Sequence, residues 1–307
     1  MSENCRLRGV LSPVLTPFKE DLSPDLVRYA EHCRWLIDSG VALAVFGTNS
    51  EANSLSVNER LQLLDTLLEA GIPPSKLLPG TGCCALPDTV ELTRKAVEAG
   101  CAGVLTLPPF YYKNVSDDGL FNSYSEIIQR VGNAKLRIYL YHIPPVSQTP
   151  ISLALIERLL KAYPGIVAGI KDSSGDWNNT EAMLKNFQSD SFDVFCGSEV
   201  FLLRNMRGGG AGCITATGNV NPAAIVDLYK TWRDAGADDK QAALSRTRKC
   251  FEIIPMIASM KCCIAWKRKY PSWAVVRPPL VRASAEKAEQ LQKALQDDGF
   301  EMPGISA

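Results

Sequence analysis

The sequence lacks a surplus of charge of either sign and a long apolar run. Its 33 Lys and Arg residues balance 33 Asp and Glu residues, so the formal net charge is zero. A neutral chain has no general electrostatic attraction to nucleic acid or to anionic lipid. Apolar stretches end at glycine, proline or a charge before the roughly 18 residues that a membrane span needs. These absences predict a protein without nucleic-acid or membrane partners.

The sequence also has few of the side chains that bind metals. The histidines are His32 and His142, and the 10 cysteines include the adjacent pairs Cys83-Cys84 and Cys262-Cys263 but no Cys-x-x-Cys. This pattern excludes a zinc cluster and a Ser-His-Asp hydrolase, and it predicts reduced thiols and no metal. The segment Met1–Arg6 lacks the cationic and apolar pattern of a signal peptide, so we expect a cytoplasmic protein.

What the sequence does contain is a repeated unit. A short β-branched run is followed by a polar turn and then by a helix-period stretch that ends in a small residue and glycine. Three such ends, Ser39-Gly40, Ala70-Gly71 and Ala99-Gly100, lie about thirty residues apart, the length of a βα unit. The strand candidates are Val10–Leu15, Leu43–Gly47, Leu77–Gly80, Gly103–Leu107, Leu136–Tyr141, Val167–Lys171, Asp193–Gly197 and Cys213–Thr217. Eight parallel strands predict an α/β fold, a closed (β/α)8 TIM barrel.

Helical periodicity marks the connections and the end of the chain. Ser56 and Glu59 form the pattern of a capping box before one of these helices. The helix candidates between the strands include Pro24–Asp38, Val57–Glu69, Pro87–Glu98 and Ile151–Ala162, and those after the eighth strand are Ala223–Asp234, Asp239–Ile254 and Ala285–Asp297. We therefore expect residues 1–226 to form the barrel with the active site and residues 227–307 to form a C-terminal helical extension.

A doubly wound sheet is the alternative fold. The glycines of Gly80-Thr81-Gly82 follow a strand and loosely match a dinucleotide fingerprint. The match falls at the third strand and has no acidic ribose ligand after a second strand. The pattern therefore favours the barrel.

Chemistry in a barrel is expected at the C-terminal ends of the strands. The sixth strand candidate ends in Lys171, and a lysine desolvated there favours its neutral, nucleophilic amine. The open alternative is a solvated lysine paired with Asp172. On the fifth candidate, Tyr139 and Tyr141 share one face, which permits either a phenol at the barrel mouth or simple core packing.

The second strand candidate runs into a turn of small polar residues. The segment Gly47-Thr48-Asn49-Ser50-Glu51 offers backbone N–H groups, hydroxyls and an amide. Such a turn suits a substrate carboxylate, and equally it can be a capped strand-to-helix loop.

Taken together, these residues resemble the dihydrodipicolinate synthase and N-acetylneuraminate lyase family of Schiff-base-forming class I aldolases. The resemblance covers nearly the whole chain. Its motifs, in order, are Thr16-Pro17-Phe18, Gly47-Thr48-Asn49-Ser50-Glu51, Tyr111-Tyr112, Tyr141-His142-Ile143-Pro144 and Gly169-Ile170-Lys171-Asp172. The family's fold is a (β/α)8 barrel with extra C-terminal helices.

The resemblance implies roles for individual residues. Lys171 matches the Schiff-base lysine and Tyr141 the proton-relaying phenol. Thr48 matches the hydroxyl that links this phenol to a second tyrosine, Tyr112, which in the family reaches across a subunit interface. Thr48 and Asn49 would hold the substrate carboxylate, and the further candidates for substrate binding are Gly197, Glu199 and Ile214. The resemblance implies no cofactor, and we expect a homotetramer built as a dimer of dimers.

Three departures from the family pattern fall where it selects its substrate. In the turn Gly47–Glu51, Asn49 and Ser50 stand where the family pattern has a hydroxyl residue and a glycine. Val146 stands where true dihydrodipicolinate synthases carry an arginine that clamps a dicarboxylate partner. After the seventh strand, Glu199 is the one carboxylate left of the acidic pair of sialic acid lyases, and Ala216 replaces their serine.

We therefore expect a pyruvate-type 2-oxo acid aldolase or lyase that acts through a lysine Schiff base on a 2-keto-3-deoxy acid. The alternatives are 4-hydroxy-tetrahydrodipicolinate synthase, which joins pyruvate to aspartate semialdehyde, a dehydratase that uses the same imine, and a noncatalytic barrel that binds 2-oxo acids.

Overall fold

The computed structural model describes residues 6–189 and 191–305. Residues 1–5, which carry most of the expectation about a signal peptide, lie outside the described residues. The described chain divides into two compact units. Unit 1 comprises residues 6–9 and 73–214, and unit 2 comprises residues 10–72 and 215–305. The predicted boundary at residue 227 stays a prediction.

Strands and helices alternate along most of the chain. The strands in the described residues are β1 (Gly9–Ser12), β2 (Ala42–Leu43), β3 (Val104–Thr106), β4 (Ile138–His142), β5 (Val167–Asp172), β6 (Asp193–Cys196) and β7 (Gly212–Ile214). The first eight helices are α1 (Leu26–Asp38), α2 (Val57–Glu69), α3 (Leu86–Glu98), α4 (Asp117–Val131), α5 (Pro144–Ser147), α6 (Leu153–Ala162), α7 (Trp177–Phe187) and α8 (Leu202–Arg207). They are followed by α9 (Pro222–Thr231), α10 (Ala237–Phe251), α11 (Met256–Lys267) and α12 (Ala285–Asp297).

In unit 1 the strands β3 to β7 pair in chain order, and every pair is parallel. One face of this sheet packs Ile138, Leu140 and Ile170 against helices α3, α4, α6 and α7. Because side chains alternate along a strand, Tyr141 and Lys171 project from the opposite face. The register places Tyr141 directly beside Lys171. The parallel sheet therefore brings these two side chains together at one edge.

In unit 2, Leu11 and Ser12 of β1 pair in parallel with β2, and Ser56 caps α2 as predicted. Glu59 N donates to Ser56 Oγ at 3.2 Å and Ser56 N donates to Glu59 Oε2 at 2.9 Å. Helices α2 and α12 have the predicted bounds. Helix α11 was not predicted. Its apolar residues are spread around the whole helix, so the sequence shows no amphipathic periodicity there.

The third predicted strand, Leu77–Gly80, is reduced to a single parallel bridge between Gly80 and Leu105. Pro79 explains the difference, because proline has no N–H to donate to a sheet. The backbone carbonyls of this segment still accept hydrogen bonds from the chain around β3. Leu105 N donates to Pro79 O at 2.8 Å and Ala102 N donates to Leu77 O at 3.1 Å. Within the ranges that the structure describes, no helix has the length and apolar character to cross a membrane.

Gly169, two residues before Lys171, lies against the buried ring of Tyr139. A Cβ added at Gly169 would lie 2.6 Å from Tyr139 Cδ1 and 2.5 Å from Asp193 O. We expect Gly169→Ala to lower the free energy of unfolding by about 1–3 kcal/mol through overpacking. Urea unfolding measures this change, with Gly236→Ala as a control where a Cβ meets open space. Equal losses in the two variants would show that the close approach at Gly169 has no energetic weight.

Candidate active site

Lys171 and Tyr141 form a buried pair at the ends of β5 and β4. Their exposed fractions are 2% and 3%. Lys171 Nζ donates to Tyr141 OH at 3.2 Å and lies 4.2 Å from the centre of the tyrosine ring. The structure thus places the Lys171 amine and the Tyr141 phenol within hydrogen-bond distance of each other, away from solvent. A solvated lysine paired with Asp172 is not the arrangement observed.

The carboxylate of Asp172 accepts hydrogen bonds from residues that follow β5. Its Oδ2 accepts from Thr180 Oγ1 at 2.6 Å and its Oδ1 accepts from Ser174 N at 2.9 Å. His142 Nε2 lies 4.0 Å from Asp172 Oδ1, and His142 Nδ1 accepts from Ile151 N at 3.0 Å. Burial lowers the pKa of His142, although the carboxylate of Asp172 opposes this shift. These contacts fasten the strand ends to α7 and to the segment before α6.

A buried carboxylate lies close to the same edge of the sheet. Burial raises the pKa of the Cys213 thiol well above its usual value, as does the neighbouring Cys196. The charge of Glu199 raises that pKa further, whereas the charge of Lys171 lowers it. Glu199 and Lys171 therefore both act on Cys213, and Glu199 is only 1% exposed. No group of side chains suited to a metal ion occurs in the part of the chain that the structure describes.

The other predicted substrate residues of unit 1 line up with the strand ends. Gly197 N donates to Asp172 O at 2.7 Å, and a Cβ at this position would lie 2.1 Å from Ser173 Oγ. Only glycine permits this close approach of two segments of the chain. Ile214 is the last residue of β7 and is fully buried.

Tyr112 lies on the loop between β3 and α4 and is 72% exposed. Its ring meets that of Tyr111 edge to face, with the centres 5.3 Å apart. Lys113 steadies the loop, because its Nζ donates to Phe110 O and, at 2.9 Å, to Ser147 O. The structure therefore leaves Tyr112 on the surface of its own chain.

Val146, the position at which the resemblance predicts an arginine in true dihydrodipicolinate synthases, lies on α5 and is 61% exposed. Arg137, which immediately precedes β4, is the arginine nearest to Val146 in the sequence, and its side chain is engaged elsewhere. Its Nη1 donates to Ala134 O at 2.9 Å and to Leu136 O at 2.8 Å, in the segment before β4. Arg137 therefore does not replace the missing clamp.

In unit 2, β2 ends at Leu43, so the prediction of a strand that continues to Gly47 is wrong, and residues Thr48–Ser50 form a single turn of 3₁₀ helix. Ser50 closes this turn, since its Oγ accepts from Gly47 N at 3.1 Å. Its carbonyl accepts from Thr16 Oγ1 at 2.8 Å. The departure from the family's glycine thus supplies a side chain that holds the turn, while Thr48 and Asn49 remain partly exposed.

Sequence reasoning missed the partner of Glu51. Lys261 lies on α11, is fully buried and donates from its Nζ to Glu51 Oε1. The available signal was a single charge within the otherwise uncharged stretch 255–266. A lysine in such a stretch calls for a buried anion, because a lone buried ammonium is costly.

With this geometry established, comparison with known proteins identifies the family. The model of the Dihydrodipicolinate synthetase family matches residues 6–298. The chain belongs to this family. Members of the family are lyases, so the prediction of an enzyme of the lyase class is confirmed.

Among solved structures, dihydrodipicolinate synthase from Agrobacterium tumefaciens C58 has 31% identity and a TM-score of 0.87, covering 95% of this chain and 99% of that chain. YagE of Escherichia coli K12, a prophage protein of the same family solved in complex with pyruvate, has 27% identity, a TM-score of 0.87 and the same coverage. The probable 2-dehydro-3-deoxy-D-pentonate aldolase YjhH of Escherichia coli K12 is 28% identical over 308 residues, 96% of this chain and 98% of its own. The predicted (β/α)8 fold is confirmed by these structural neighbours.

Proposed function

We propose that the protein is a pyruvate-type 2-oxo acid aldolase or lyase that works through a Schiff base on Lys171. The observation that carries this proposal is the buried hydrogen bond between Lys171 Nζ and Tyr141 OH. An amine held out of water is available as a nucleophile when it is neutral, and the adjacent phenol can carry the protons that imine formation requires. The pyruvate complex of YagE supports the class of substrate.

The proposed reaction is the cleavage of a 2-keto-3-deoxy acid. The neutral amine of Lys171 adds to the C2 carbonyl, and loss of water leaves a protonated imine. The C4 hydroxyl then gives up its proton, the C3–C4 bond breaks, and its electron pair moves into the imine to form an enamine and a free aldehyde. Protonation at C3 and hydrolysis release pyruvate and regenerate the lysine. Tyr141 transfers the protons in these steps, and no cofactor enters the scheme.

The remaining site residues take the roles that the family resemblance assigns. Thr48 and Asn49 bind the substrate carboxylate, and Gly197, Glu199 and Ile214 surround the rest of the substrate. We propose that Tyr112 completes the site of a second copy of the chain within a homotetramer. The exposure of its ring supports this role, because a tyrosine that is 72% exposed is free to contact a neighbour.

A 2-keto-3-deoxy acid is the favoured substrate because the chain lacks the arginine clamp of the synthases. Val146 is uncharged and cannot form a bidentate pair with a second carboxylate. The similarity to YjhH, named as a probable aldolase of a 2-dehydro-3-deoxy acid, points in the same direction. The similarity to a dihydrodipicolinate synthase keeps that activity as the competing candidate.

A steady-state comparison tests this choice. We expect pyruvate release from 2-keto-3-deoxy acids to exceed synthesis from pyruvate and aspartate semialdehyde, because the missing contact costs roughly 1.5–3 kcal/mol, about 10–100-fold in kcat/KM. Val146→Arg is expected to recover part of the synthesis, whereas the control Val146→Leu leaves it low. Synthesis by the parent at about 10⁴ M⁻¹s⁻¹ or more would instead identify a synthase.

A further inference from the structure

The turn at Thr48–Ser50 is bracketed by two residues in the left-handed region. Phe46 has φ of 61° and Glu51 has φ of 56°. For residues with a side chain this conformation costs about 1–2 kcal/mol each, and it persists where the surroundings impose it. The conformation of these two residues is therefore imposed by contacts with other parts of the chain.

The carboxylate of Glu51 provides such contacts. Its Oε1 accepts from Lys261 Nζ, and its Oε2 accepts from Arg277 N at 2.9 Å. Lys261 Nζ also donates to Val275 O at 2.8 Å. The side chains of Glu51 and Lys261 are both fully shielded from solvent. The left-handed residue at the end of the turn is thus fastened through both of its oxygens to residues 261–277.

Arg277 fastens the chain on the far side of Glu51 as well. Its Nη1 donates to Ser54 O at 2.6 Å and to Glu59 Oε2 at 2.9 Å. Its Nε donates to Leu22 O at 2.9 Å. One arginine therefore links the residues after the turn, the beginning of α2 and the loop after β1.

A gain in stability does not explain this ion pair well. Withdrawing two charges from water costs about as much as their attraction returns, and uncharged replacements are often tolerated. The cost is visible at Lys261, where burial lowers the pKa to about 8 although Glu51 opposes that shift. What the pair does provide is a fixed geometry at Glu51, three residues from Thr48.

We propose that Lys261 and Arg277 act through Glu51 as positioning residues, which hold the turn of Thr48 and Asn49 in the conformation that receives the carboxylate of the 2-oxo acid. This inference rests on the function proposed above. It gives Lys261 and Arg277 a role in substrate binding that acts through Glu51.

The test measures how much pyruvate is needed to form the imine. The parent and its variants are incubated with increasing pyruvate and with methyl pyruvate, which lacks the carboxylate, and are then reduced with borohydride and weighed by mass spectrometry. Lys261→Met is expected to raise the half-saturating concentration of pyruvate at least tenfold. The concentration for methyl pyruvate and the final extent of labelling should stay the same.

Two further variants separate position from charge and from folding. The double variant Glu51→Gln with Lys261→Met has no buried charge left uncompensated, so it should fold even if Lys261→Met does not, and it should show the same tenfold rise. The control Lys240→Met removes an exposed lysine that pairs with Asp227 at 2.7 Å, and it should behave as the parent does.

Each outcome has a definite meaning. Half-saturation by pyruvate at the parental concentration in the folded double variant would overturn the positioning role and leave the proposed function intact. An equal rise for pyruvate and methyl pyruvate would also overturn it, because the effect would then have no connection to the carboxylate. A parent that is not labelled by pyruvate at all would overturn the proposed function and this inference with it.

Discussion

Replacing Lys171 with methionine is expected to lower kcat/KM for pyruvate release by about 10⁴-fold or more, the scale seen when a covalent nucleophile is removed. Methionine keeps most of the volume of a side chain that is 2% exposed, so the fold should persist. Pyruvate release follows the activity, and circular dichroism during thermal unfolding follows the fold.

The control for this variant is Lys185→Met on α7, which removes an exposed lysine paired with Glu181 at 2.7 Å. It should keep the parental activity. If the folded Lys171→Met protein cleaved its substrate at a rate near that of the parent, another group would have to form the covalent intermediate.

Replacing Tyr141 with phenylalanine has the second largest expected effect. The ring and its packing are kept, but the hydroxyl that accepts from Lys171 Nζ at 3.2 Å is lost. General acid–base groups contribute on the order of 10²–10⁴-fold to a rate, so kcat should fall by that factor. Steady-state kinetics give the fall in kcat, and urea unfolding should show a loss of stability of about 1–3 kcal/mol at most, the cost of a buried unpaired donor.

Tyr139→Phe is the matched control, since Tyr139 lies two residues earlier on the same strand and face and is 1% exposed. Removal of its hydroxyl should leave kcat unchanged. Equal rates in Tyr141→Phe and Tyr139→Phe would remove Tyr141 from the proposed mechanism.

Much of the fold could be predicted because local signals mark its boundaries. Glycines in the left-handed conformation end helices at Gly40, Gly71 and Gly100, and these positions gave the βα rhythm. The predictions of secondary structure fail where local signals conflict or are absent. Pro79 reduces a strand-like segment to one bridge, and α11 shows no amphipathic period because it is buried on most sides.

The candidate site divides in the same way. Lys171 and Tyr141 could be found because strand ends and a motif mark them, and the structure brings them together. The pairing of Glu51 with Lys261 joins residues 210 positions apart, which no local pattern encodes. The roles of Tyr112 and of the turn at Thr48 stay predictions, since they depend on a second copy of the chain and on a bound substrate.

The Schiff base on Lys171 is the central claim, and reductive trapping tests it most directly. The protein is incubated with pyruvate and reduced with borohydride. Its intact mass is measured by mass spectrometry, and a digest locates the modification. We expect the mass of one reduced pyruvate per chain, carried by the peptide that contains Lys171, and no labelling when pyruvate or borohydride is omitted. An unmodified chain, or a label on any other lysine, would contradict it.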